Sequence, residues 1–122
     1  MTVRTKSACS ILIVEDDPSI RHALVTILEH IGHQVTAAET VSDGLARLDG
    51  QTFVVLDLNL PDGVGTTILE RIRAERRAMK VAVATGADEG ELLAEAQRLG
   101  PDLLLHKPYN VNELLKWLDT VG

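Results

Sequence analysis

Aromatic residues are almost missing from this sequence: one Trp, one Tyr and one Phe occur in 122 residues. Any core must therefore be packed by Leu, Val, Ile and Ala. Cysteine is nearly absent too. A lone Cys9 excludes an internal disulfide and fits a reducing compartment. Positive charge is the minority, with 12 Lys and Arg against 18 Asp and Glu and a formal net charge of −6. That balance argues against a binder of nucleic-acid backbone, which needs a basic face. No run approaches the roughly 20 apolar residues of a membrane span. The opening MTVRTKSACS carries no apolar signal-peptide core. The expectation is a soluble, cytoplasmic protein: a short lead-in over 1–10, then a single domain over 11–122 with no linker, repeat or output domain.

What is present is alternation. Apolar runs of strand length are each followed by a helical pattern. ILIV (11–14) precedes a stripe of Ile20, Leu24, Ile27, Leu28 and Ile31. HQVTA (33–37) is a weaker strand, followed by Val41, Leu45 and Leu48 on a short helix that Thr40 or Ser42 can cap. FVVL (53–56) leads through a Gly-rich loop to Ile68, Leu69 and Ile72. VAVA (81–84) precedes Leu92, Ala96 and Leu99, a helix stopped by Gly100 and Pro101. LLLH (103–106) precedes a last helix that buries Val111, Leu114, Leu115 and Leu118, with Asn110 at its cap and Glu113 at the capping-box position. Strand and helix repeated five times predict an α/β protein with a five-stranded parallel sheet, doubly wound in the flavodoxin-like manner, with strand order 2-1-3-4-5.

All strand C-termini then meet at one edge, where open sheets of this kind bind ligands. Strand one runs into Glu15, Asp16 and Asp17, strand three into Asp57, strand four into Thr85 and Gly86, strand five into Lys107 and Pro108. Strand two ends in Ala38 and Glu39, which suggests little. A carboxylate such as Asp57 at the end of an apolar strand needs solvent or company, because burying an unpaired charge costs several kcal/mol. The acids of strands one and three converge at the switch point of that strand order. Crowded carboxylates repel, and a hard cation such as Mg²⁺ relieves them. A carboxylate nucleophile, a divalent ion, an ammonium and a hydroxyl together suit phosphoryl transfer, with Asp57 able to form an acyl phosphate.

At ILIVEDDPSIR, LDLNLPDGVG, VAVATG and LLLHKP the chain resembles the receiver domain of two-component response regulators, and the likeness extends from Ile11 to Leu118. The resemblance implies a phospho-switch, not an enzyme acting on an outside metabolite. Asp57 would accept a phosphoryl group from a phosphohistidine on a histidine kinase or phosphotransfer protein. Glu15, Asp16, Asp57 and the backbone carbonyl of Asn59 would hold Mg²⁺ or Mn²⁺. Thr85 and Lys107 would contact the phosphoryl group, and a cis peptide before Pro108 would fix the lysine. The position three before Lys107 commonly carries Tyr or Phe in this family but is Leu104 here, and residue 86 is Gly where Ala is more usual. Both departures bear on the signalling relay, not on the phosphorylation chemistry. An unknown downstream protein would read the switch, without direct contact to nucleic acid or membrane. The oligomeric state, a homodimer included, is left open, as is the choice between a stand-alone regulator and a domain of a longer protein.

Two other classes compete. A phosphohydrolase similar to the haloacid dehalogenase group would want a second Asp two residues after the nucleophile, where Asn59 stands. A degenerate receiver would serve as a binding module without phosphorylation. Four smaller features have plain explanations. Asp17 before Pro18 suits a helix cap, and RIRAERRAMK (71–80) suits a solvated helix face better than a docking patch. Trp117 falls off the last helix's stripe, at a helix edge or a partner contact. His22, His30, His33 and His106 have no metal-ligand spacing and are expected to be structural or exposed.

Overall fold

The computed structural model describes residues 9–86 and 90–121. Strand β1 (Ser10–Val14) leads to helix α1 (Pro18–Ile31), β2 (Gln34–Ala38), α2 (Val41–Ala46) and β3 (Phe53–Asp57). A two-residue ladder, β4 (Asn59–Leu60) and β5 (Gly63–Val64), precedes α3 (Thr66–Ala74). The chain continues with β6 (Lys80–Thr85), α4 (Gly90–Leu99), β7 (Leu103–His106) and α5 (Val111–Val121). The main sheet is parallel and ordered β2-β1-β3-β6-β7, which is 2-1-3-4-5 when its strands alone are counted. No helix of the described residues is long and apolar enough to cross a membrane.

Successive side chains of a strand point to opposite faces, so each central strand feeds two cores. Leu12, Val14, Val54, Leu56, Val81 and Val83 meet Ile68, Leu69 and Ile72 of α3 and Ala96 of α4. Ile11, Ile13, Phe53, Val55, Ala82 and Leu105 meet Leu24 and Leu28 of α1 and Leu114 and Leu118 of α5. With both faces covered, β3 is buried along its whole length, Asp57 included. Trp117 lies on the second core, its ring edge-to-face with Phe53 at 5.3 Å between centroids, which accounts for its place off the stripe.

Local signals start and stop the helices. The Asp17 carboxylate accepts from the amides of Ser19 (2.8 Å) and Ile20 (3.3 Å), while Pro18 occupies the first helical position, where no N–H is needed. Gly32 ends α1 at φ 115°, in a left-handed conformation that a side chain would oppose. Thr40, not Ser42, caps α2, accepting from Asp43 N–H at 3.0 Å. Asn110 caps α5 through its side chain to the Asn112 amide at 2.9 Å.

Some boundaries differ from the sequence expectation. The second strand is Gln34–Ala38 and omits His33, whose buried ring accepts the Cys9 amide at Nδ1 (3.1 Å). Leu48 lies beyond the end of α2 yet is buried, because the chain after the helix packs back on the sheet. The Gly-rich loop contains the β4–β5 ladder, with Asn59 opposite Val64. The basic segment 71–80 is not a continuous solvated helix face. Helix α3 ends at Ala74, and Arg76 adopts φ 54° as the chain turns away. Arg73 reaches across to the carbonyls of Leu99 and Gly100 and to Asp102, while Arg77 pairs with Asp49 and Glu75.

Candidate functional site

Three buried strands discharge their ends into one crevice. Parallel pairing sets Val14 beside Leu56 and Asp57 beside Ala84, so Glu15 follows β1 at the height of Asp57, and Thr85 ends β6 one residue further along. Glu15 and Asp57 are 4% and 5% exposed, which is unusual for carboxylates and demands countercharge. Lys107, from the end of β7, supplies it. Its ammonium donates to Glu15 Oε1 at 3.0 Å and lies 3.1 Å from Asp57 Oδ2. Asp16 is exposed at the rim, and one oxygen each of Glu15, Asp16 and Asp57 lie within 4.8 Å of one another. Such a set of hard oxygen donors fits a small divalent cation.

Burial is the largest influence on Glu15 and pushes its carboxyl up to about 7. Hydrogen bonds from Lys107 and the Asp17 amide oppose this, while the charge of Asp57 adds to it. Burial pulls Lys107 down, but its hydrogen bonds to Glu15 and Asp57 outweigh that and hold the ammonium above the usual lysine range. Below neutrality, then, the crevice retains a proton on Glu15 beside a fixed positive charge.

The sequence-selected residues are distributed as follows. Glu15, Asp16, Asp57 and Lys107 come together directly. Asn59 follows on β4, its amide donating to Asp57 Oδ1 at 3.3 Å. Thr85 is fully buried, and its hydroxyl donates to the Gly86 carbonyl at 3.3 Å. Its own carbonyl accepts the Lys107 amide at 2.7 Å, tying the ends of β6 and β7 together. The Lys107–Pro108 peptide is cis. Leu104 is half-buried against the core on the α2–α4 face. His22, His30 and His106 are exposed.

Four contributors escaped the sequence reading. Arg21 of α1 donates to the carbonyls of Glu15 (3.0 Å) and Asp16 (3.3 Å) and pairs with Glu39 at 3.4 Å, holding the acid-bearing loop from behind. Gly65 is required by close approach: a Cβ there would run into the Asp57 carbonyl oxygen. Tyr109 packs beside Lys107 and Pro108 in a cavity of about 420 Å³ between α1 and α5, with Ile20, Ala23 and Leu24 on its far wall. Asp62 caps α2 from another loop, over a sequence separation that no local pattern reveals.

A doubly wound parallel sheet with three acids and a lysine at its switch point is an arrangement able to hold a small divalent cation beside an anionic group. Comparisons with known proteins give the family. The family model described as "Response regulator receiver domain" matches residues 11–119, and the chain belongs to that family. It is 33% identical over 115 residues to the photosynthetic apparatus regulatory protein RegA of Rhodobacter capsulatus, covering 93% of this chain and 62% of that protein. To the KDP operon transcriptional regulatory protein KdpE of Escherichia coli it is 36% identical over 107 residues, 86% of this chain and 47% of KdpE. The chain thus spans about half to three-fifths of the length of these relatives. The crystal structure of a CheY-like receiver domain protein from Methanospirillum hungatei superposes with a TM-score of 0.84 at 34% identity, covering 93% of each chain. A receiver protein from Pseudomonas putida gives 0.83 at 25% identity, covering 95% of this chain and 99% of that one.

Proposed function

We propose that Asp57 is the phosphoacceptor of a two-component phosphorelay. The observation that carries this reading is the Lys107 ammonium between Asp57 and Glu15, with Asp16 completing an acidic pocket at the mouth of the sheet. A carboxylate oxygen of Asp57 attacks phosphorus, the bond to the donor imidazole nitrogen breaks, and that nitrogen keeps the electron pair. With a proton on the ring's other nitrogen, the products are an acyl phosphate on Asp57 and a neutral donor histidine. Lys107 balances charge on the phosphoryl oxygens, and Thr85 offers its hydroxyl to them after turning from Gly86. Glu15, Asp16, Asp57 and the Asn59 carbonyl would hold Mg²⁺, or Mn²⁺ in its place. When bound, that ion offsets negative charge on the carboxylates and the incoming phosphoryl group.

The donor is a histidine kinase or a phosphotransfer protein, and the output is a changed protein contact. Phosphorylation puts a phosphoryl group of about −1.5 to −2 charges where the Asp57 carboxylate carried one, a net gain of up to about one negative charge, and it carries that charge outward to oxygens that Lys107 and the β6 end can meet. Leu104 offers no ring to follow that movement, so the relay to the surface runs through aliphatic packing on the α4 side.

Intact-mass measurement after incubation with Mg²⁺ and acetyl phosphate tests the reading. The wild type is expected to gain one phosphoryl group and Asp57→Asn none. No gain with acetyl phosphate or with any kinase tried, together with no Mg²⁺ binding, would sink it and leave a receiver-shaped binding module.

A further inference from the structure

The corner between β2 and α2 carries no group suited to the chemistry, yet it is bonded on both sides to loops that do. On one side the Glu15 amide donates to the Ala38 carbonyl at 3.0 Å. There too, Glu39 pairs with Arg21, which itself holds the carbonyls of Glu15 and Asp16. On the other side Asp62, in the turn between β4 and β5, reaches the start of α2. Its Oδ1 accepts the Val41 amide at 2.7 Å and its Oδ2 accepts the Ser42 amide at 3.1 Å. Thr40 takes the Asp43 amide, and the Gly44 amide goes to the Thr40 carbonyl, so all four leading amides of α2 are satisfied. Half of that cap comes from a residue of a different loop.

We infer that Asp62 is a positioning residue for the crevice: it clamps the β4–β5 turn, and with it the Asn59 carbonyl, to the same corner that holds Glu15 and Asp16. The inference rests on the phosphoacceptor reading for its functional consequence. Asn59 lies between Asp57, fixed in the sheet, and Asp62, fixed on α2. The turn's own ladder has only two residues on each strand; the buried Leu58 and Leu60 and the Gly65 amide on the Leu58 carbonyl hold its base, and Asp62 holds its tip. Two bonds from backbone N–H groups to one carboxylate are charge-assisted, and they need both oxygens. Asparagine could accept only one of them.

The test separates clamping from mere helix capping. Thr40→Ala removes the other cap of α2 without touching the turn. Mg²⁺ affinity by calorimetry, melting temperature in EDTA, and amide hydrogen exchange of residues 59–64 in metal-free protein are measured for wild type, Asp62→Ala, Asp62→Asn and Thr40→Ala. Asp62→Ala is expected to weaken Mg²⁺ binding about tenfold, the size seen when groups that orient metal ligands are removed, and to speed exchange across 59–64. Asp62→Asn should fall between it and wild type, and it replaces Asp62→Ala if that variant does not fold. Thr40→Ala should lower the melting temperature while leaving both Mg²⁺ affinity and exchange in the turn unchanged. Equal Mg²⁺ affinity and exchange in Asp62→Ala and wild type would overturn the inference, as would equal losses in Thr40→Ala. A wild type that binds no Mg²⁺ and takes no phosphoryl group would overturn the phosphoacceptor reading instead, and exchange in 59–64 would then decide the clamp alone.

Discussion

Lys107 Nζ lies 3.1 Å from Asp57 Oδ2 and 3.0 Å from Glu15 Oε1, so one ammonium is shared by two buried carboxyl groups at the ends of different strands. Removing it would leave them facing each other without countercharge. Lys107→Met is expected to destabilise the metal-free protein by about 2 kcal/mol, less than a fully enclosed pair would lose because the lysine is partly solvated. Added Mg²⁺ should return part of that loss. Urea denaturation with EDTA and with excess Mg²⁺ measures both, and an unchanged midpoint in EDTA would contradict the electrostatic role.

Glu15 sets a pH dependence whose sign is opposite to that of a typical salt-bridged acid. Its folded value is raised to about 7 from an ordinary 4.5, so the folded state binds the proton more tightly than the unfolded state. Its contribution to stability is then greatest below about pH 4.5 and declines as pH rises toward 7. The slope attributable to this one group cannot exceed about 1.4 kcal/mol per pH unit. In EDTA, Glu15→Gln should flatten the decline between those limits. A wild-type curve parallel to that of the variant would refute the assignment.

Gly65 takes the Leu58 carbonyl through its amide at 2.7 Å while its α-carbon faces the Asp57 carbonyl. The obstacle to a side chain is backbone, which cannot turn aside as a side-chain tip can. Gly65→Ala is expected to cost about 2–4 kcal/mol and to reduce acceptance of the phosphoryl group, because the displaced backbone is that of Asp57 itself. Thermal melting and intact mass with acetyl phosphate check the two effects separately.

Arg73 clasps the end of α4 to α3 by hydrogen bonds to Leu99 O at 3.1 Å and Gly100 O at 2.7 Å. Asp102, which it also pairs with, accepts the Val81 amide at 2.8 Å. Arg73→Ala should lower stability by about 1–2 kcal/mol, since accepting carbonyls and a structural aspartate lose a charged donor. Arg71→Ala, whose partner Glu75 is on the surface, should lose less than about 0.5 kcal/mol. Denaturant midpoints of the two variants make the comparison.

Much of the molecule could be read before any coordinates. Continuous apolar strands alternating with 3.6-residue stripes have few solutions other than a covered parallel sheet. Polar residues that break such runs must lie at strand ends. Asp57, Glu15, Asp16 and Lys107 were found by that rule. Boundaries were less secure where packing outweighed local pattern, as at Leu48, buried past its helix, and at Arg76, where α3 stops in a basic stretch that lacks Gly or Pro.

The sequence by itself determined the fold class, the edge at which the chemistry gathers and the residue types delivered there, because periodicity and strand-end position are local properties of the chain. Only the tertiary structure decided which acids share the lysine, why residue 65 must be glycine, and that Asp62 caps α2 while Arg73 holds α4. Those contacts join residues 20 or more positions apart, except at residue 65, where the neighbour is a carbonyl folded back within one loop. Such pairings are set by the register of the sheet and the way its helices pack, and no spacing along a single strand or helix encodes them.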